Sequence, residues 1–136
     1  VGFSCQFSEP MCMSIPLYSL YGYPDGSVNL QFVHIETLES GNKDRDWDIA
    51  AHQHDALHQV IWVSEGYGTV ELDTETLFLT APTIIYVPPL TVHGFRWNPG
   101  SDGFILTIVG NRLVDLLNRI GGDINSILEQ LLVIRI

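Results

Sequence analysis

Between Leu57 and Val109 no apolar run lasts long before a glycine or proline interrupts it. Val60, Ile61, Trp62 and Val63 are β-branched or aromatic, and Glu65-Gly66-Tyr67-Gly68 ends their run. Thr69 to Asp73 then returns, so the two segments read as a hairpin. Thr76 to Thr80 follows, and Ala81-Pro82 turns the chain into Thr83 to Val87. Pro88-Pro89 stops that strand; Thr91 to Trp97, a turn over Asn98 to Gly103, and Phe104 to Val109 complete the series. Upstream, Leu30 to Ile35 and Trp47 to Ala51 read as two more strands on either side of a polar loop, Ser40 to Asp46. Strands this short and this closely punctuated specify an all-β sandwich or barrel.

The pattern changes after Gly110. Leu113, Leu116, Leu117 and Ile120 fall at helical spacing, as do Ile124, Ile127, Leu128 and Leu131. Gly121-Gly122 divides two helices, and Asn111 or Asp123 can cap one. The second helix stays apolar from Ile127 to Ile136, which suits either packing on the barrel's outer face or self-association. The 136 residues suit one compact domain. Its expected parts are an N-terminal extension (1–13), a barrel (14–109, opening with a Gly- and Pro-rich arm) and C-terminal helices (110–136), which a homodimer would use if they self-associate.

Charge narrows the partners. Sixteen Asp and Glu against six Lys and Arg leave a net charge of −10. Binding DNA requires a cluster of cations to replace counterions on phosphate, and this chain has none. Anionic membrane surfaces are disfavoured for the same reason, and no apolar run approaches a membrane span. Cys5 and Cys12 both lie in the first dozen residues, where a disulfide would close a small loop remote from a core. A reduced, cytoplasmic setting is the simpler expectation.

The chemistry concentrates in His52-Gln53-His54. Alternation along a strand points both imidazoles to one face. His93 begins a separate strand after the Pro-Pro turn and is the candidate third member, with Gln59 a possible fourth. His58 falls on the other face and reads as a packing residue. If His93 points inward, so do Phe95 and Trp97, whereas Arg96 points out. Trp62 or Ile61, Tyr86 and Phe104 are further candidates for an apolar cavity with a few polar groups, as a small organic ligand requires. The histidines can hold a divalent metal (Zn, Ni or Fe), bind an organic acid directly, or serve packing alone. No Ser-His-Asp or Cys-His arrangement and no phosphate-binding glycine loop is present.

This arrangement resembles the cupin family. His52-Gln53-His54 matches the first part of the family's first motif and Gly66 its glycine; Gln59 stands where a Glu is expected. Pro88 and His93 match the second motif, with Leu90 in place of the usual Gly and Trp97 where Asn is common. The resemblance implies a cupin-type double-stranded β-helix, or jelly-roll, barrel with the metal set His52, His54, His93 and Gln59.

Over residues 14–109 the chain is also similar to the N-terminal sensor domains of AraC-type transcriptional regulators. The nearest branch responds to 4-hydroxybenzoate and related aromatic acids. The residues that carry this are Ile15-Pro16, Leu20-Tyr21-Gly22, Phe32 to Glu36, Trp47-Asp48-Ile49, Leu57-His58-Gln59, Val87-Pro88-Pro89, Val92 to Arg96 and Gly103 to Thr107. The resemblance implies a barrel that binds a small effector and helices that dimerise. Such regulators continue into paired helix-turn-helix units, whereas this sequence stops at Ile136. It therefore reads as a fragment of a regulator or as a stand-alone cupin. The rival expectation is a metal-dependent cupin enzyme, a dioxygenase or isomerase, built on His52, His54 and His93.

Overall fold

A computed structural model describes residues 33–72, 74–121, 126 and 128–136. The N-terminal extension, the arm, both cysteines and the first residues of the expected opening strand lie outside them. Among the described residues there are nine strands, as expected for an all-β domain. They are β1 (Val33–Thr37), β2 (Asp48–His52), β3 (Leu57–Glu65), β4 (Tyr67–Leu72), β5 (Thr76–Thr80), β6 (Thr83–Val87), β7 (His93–Trp97), β8 (Asp102–Val109) and β9 (Leu132–Arg135). A short helix α1 (Leu38–Asn42) follows β1, and α2 (Gly110–Ile120) follows β8.

All pairings are antiparallel. One sheet has the order β1-β8-β3-β6-β9 and the other β2-β7-β4-β5. Their inner faces share one core. Ile61 and Val63 of β3, Ile85 and Val87 of β6 and Ile105 of β8 face Val70, Leu79, Phe95, Trp97 and Ile49 of the second sheet. The period-2 rule places these residues together, because a strand sends alternate side chains to opposite faces.

Two expectations need correction. Ser40 to Asp46 is not an open loop: Thr37 caps α1, its side chain accepting from Ser40 N at 3.1 Å, and a 3₁₀ turn over Lys43–Arg45 follows. More importantly, the second C-terminal helix does not extend to Ile136. Residues 132–135 form β9, which adds to the five-stranded sheet beside β6, with Ile84 opposite Ile134 and Ile85 opposite Val133. Val133 and Ile134 are β-branched and fit a pleated surface better than a helix. Most of the proposed start of that helix lies outside the described residues. Among the described residues one helix, α2, follows β8.

The outer face of the five-stranded sheet is apolar as well. Val33, Ile35, Phe104 and Ile134 are all exposed on it, and Val60, Trp62, Ile84 and Leu106 lie among them. Neighbouring residues of β8 give a direct check of the face assignment. Ile105 is 0% exposed and Phe104 49%. Ile105→Ala is expected to cost about 3 kcal/mol, the usual range for a filled core position, and Phe104→Ala less than about 1 kcal/mol. Urea denaturation of the two variants measures the difference; equal losses would refute the assignment.

Candidate metal centre

β2 and β7 build the site. Ile49 lies opposite Phe95 and His52 opposite His93, with the register shifting between Ile49 and His52. Ile49 and His52 are three residues apart, so strict alternation would put them on opposite faces. The bulge over Ala50 and Ala51 turns both inward, and both are buried. Gly94 makes room for it: a Cβ there would come within 2.8 Å of Ile49 O and 3.1 Å of Ala51 N. Beyond β2, His54 is held by its own backbone. Its carbonyl accepts from Leu90 N at 2.6 Å, which ties the end of the His-x-His segment to the Pro88-Pro89 turn.

The three imidazoles meet inside. His52, His54 and His93 are 1%, 2% and 0% exposed. Ring centroids are 4.4 Å apart for His52 and His93, 4.9 Å for His52 and His54, and 5.5 Å for His54 and His93. One potential ligand atom from each lies within 4.8 Å of the others. Phe95 packs on His93 at 5.7 Å, and Trp97 stacks on Phe95 at 5.4 Å.

Hydrogen bonding fixes the protons. His52 Nδ1 donates to Ala50 O at 2.8 Å and His93 Nδ1 to Thr91 O at 2.7 Å. A carbonyl only accepts, so Nδ1 carries the hydrogen and Nε2 of the neutral ring keeps its lone pair. Burial pushes the His52 pKa down to about 4, against the smaller opposing effect of the Ala50 carbonyl. Burial and then the neighbouring His52 push His93 down to about 3. Both rings are therefore neutral near pH 7. His93 Nε2 is buried and has no hydrogen-bond partner among the described residues.

A divalent transition-metal ion fits this donor set. Neutral imidazoles oriented by a second-nitrogen bond to a carbonyl are the usual form of a histidine ligand. Three such ligands leave open positions on a metal such as zinc. Among the described residues no Asp or Glu joins the cluster. Gln59 lies on the inner face of the opposite sheet, fully buried, its Nε2 donating to Thr107 Oγ1 at 3.4 Å. Its Oε1 has no partner among the described residues, and neither does the buried Trp97 Nε1.

Three expected cavity residues lie elsewhere. Trp62 pairs with Phe104 and Ile84 on the outer face of the five-stranded sheet, and Phe104 itself is half exposed. Tyr86 lies opposite Val60 on that same face. Its hydroxyl donates to Leu128 O at 2.9 Å and receives His58 Nδ1 at 2.6 Å, and burial pushes its pKa up to about 12. Thr107, which the sequence reading passed over, shares the interior with Gln59. Its signal was the two-residue step from Ile105.

A jelly-roll-like pair of antiparallel sheets with a buried His-x-His pair and a distant third histidine defines a class of small-ligand and metal-binding barrels. The chain belongs to the cupin family: the family model for the cupin domain matches residues 38–110. Among solved structures, a cupin protein from Bacteroides fragilis is similar at 16% identity, covering 60% of this chain and 68% of that one, with a TM-score of 0.44. No curated protein matches.

The depressed histidines make a metal-free protein acid-sensitive. Unfolded imidazoles protonate near pH 6.5, whereas the folded rings stay neutral down to about 4 and 3. The unfolded state thus takes up protons first, and stability falls as pH drops from 6.5 towards 4. The expected loss between pH 7 and pH 5 is about 2 kcal/mol for each of the two rings, on the order of 4 kcal/mol together. Urea denaturation across that range tests it, and His93→Gln should flatten the dependence.

Proposed function

We propose that this cupin domain is a small-molecule sensor of the AraC type. In this reading His52, His54 and His93 hold a divalent metal, and a small aromatic acid binds beside it in the barrel. The observation that carries this is the convergence of three buried histidines, at least two of them presenting only lone pairs. A carboxylate is also an acceptor, so those neutral rings cannot bond it directly, and burial opposes charging them. A cation collects the lone pairs and, when bound, supplies the positive charge that draws an anion. With Gln59 standing where the family has a carboxylate, no Asp or Glu of the described residues joins the cluster to offset that charge.

Aromatic and polar side chains share the interior with the histidines. Phe95 and Trp97 supply aromatic surface. Trp97 Nε1 offers a donor and Gln59 Oε1 an acceptor, the complement of a hydroxy-substituted aromatic acid. Binding is favoured over catalysis because no Asp or Glu is buried among the described residues. Asp55 and Glu65 are exposed, and Glu36 is only half-buried.

Metal analysis of protein purified without chelators should find about one divalent ion per chain, lost in His93→Gln. 4-Hydroxybenzoate is expected to raise Tm by about 3–5 °C in the metal-loaded protein and not after chelation. No shift with any aromatic acid at millimolar concentration would sink the sensor reading. The reading also expects helix-turn-helix units in the reading frame beyond Ile136.

Self-association belongs to the same proposal, but the helix that serves it is α2. Leu131 packs against the core and Leu128 is half-buried, whereas Leu116 and Ile120 are exposed. Leu116→Lys with Ile120→Lys is expected to turn a dimer into a monomer by analytical ultracentrifugation. An unchanged sedimentation profile in the double variant rejects the role.

A further inference from the structure

Outside the barrel, on the opposite face of β3 from Gln59, lies a cleft of about 380 Å³. His58, Pro88, Pro89, Val114, Leu128 and Glu129 line it. Its size falls within the range of small-ligand pockets. Its polar groups are one-sided. Tyr86 spends its only proton on Leu128 O, so the bond between Tyr86 and His58 must be donated by His58 Nδ1. His58 Nε2 then carries a lone pair. It sits against the start of α2, where a Cβ on Gly110 would lie 3.3 Å away. The residue is 5% exposed. The two prolines have no N–H, and Glu129 adds a carboxylate. The cleft therefore presents acceptors and apolar walls, in a chain of net charge −10 that attracts cations.

We propose that this cleft is a second binding site, separate from the histidine centre, and that it takes a small organic amine. The ammonium group donates to His58 Nε2 and pairs with Glu129. The apolar part lies against Pro88, Pro89, Val114 and Leu128. A carboxylate is disfavoured because the polar side chains of the cleft offer it an acceptor, His58 Nε2, and a like charge, Glu129.

Benzylamine is the probe, with benzyl alcohol and benzoate as size-matched comparators. Calorimetric titration is run on metal-free protein, so that the amine has no metal to coordinate. Benzylamine is expected to bind at least tenfold more tightly than either comparator. Glu129→Gln should weaken it about tenfold, and Val114→Trp, which fills the cleft from a partly exposed helix position, should abolish binding. Both variants should keep the metal content of the parent. In ¹⁵N NMR the His58 Nε2 resonance should shift on titration. Absence of benzylamine binding at millimolar concentration, equal binding of benzoate, or undiminished binding in Val114→Trp would each overturn the proposal.

Discussion

The pairing of β2 with β7 is the constraint on which the site depends. A regular ladder would carry Ile49 into the core and turn His52 out to solvent. The bulge at Ala50 and Ala51 reverses that, and the absence of a side chain at Gly94 lets the displaced backbone lie close. His52 then faces His93 directly, and His54 follows two residues later, clamped to the turn that introduces β7. Residues some forty positions apart in sequence are brought together by a single irregular ladder.

The same short segments set the chemistry. Ala50 and Thr91 each lie two residues before a histidine and supply the carbonyl that fixes its tautomer. The backbone thus decides which nitrogen faces the centre, and burial decides that the ring is neutral. Among the described residues the protein concentrates lone pairs in a buried interior with no carboxylate in the cluster. That combination favours a cation.

Much of this was legible in the sequence, and the failures share a cause. The short punctuated strands revealed the all-β domain, and the two-residue step placed His52 with His54. Turn chemistry pointed to His93 as the third member. The bulge was not legible, because nothing in Ala50-Ala51 signals it without the partner strand. Trp62 and Tyr86 were misassigned because both faces of β3 and β6 are apolar. Where Val60, Ile61, Trp62 and Val63 follow one another, alternation carries no information about inside and outside. The run Leu131 to Ile134 failed in the same way: a continuous apolar stretch fits a buried helix or a strand equally well, and here pairing with β6 decided the outcome. The polar loop after β1 became helical through a local cap at Thr37, a contact too short-ranged for periodicity to register.

The greasy exterior of the five-stranded sheet has a colloidal consequence. Near neutral pH, mutual repulsion between strongly acidic molecules keeps such surfaces apart. The isoelectric point is about 4.6, so mild acidification removes that repulsion. It also begins to load protons onto the interior imidazoles of any molecule that opens. Precipitation and unfolding therefore converge on one narrow acidic interval, and the charge that looks incidental to the barrel is what keeps it dispersed.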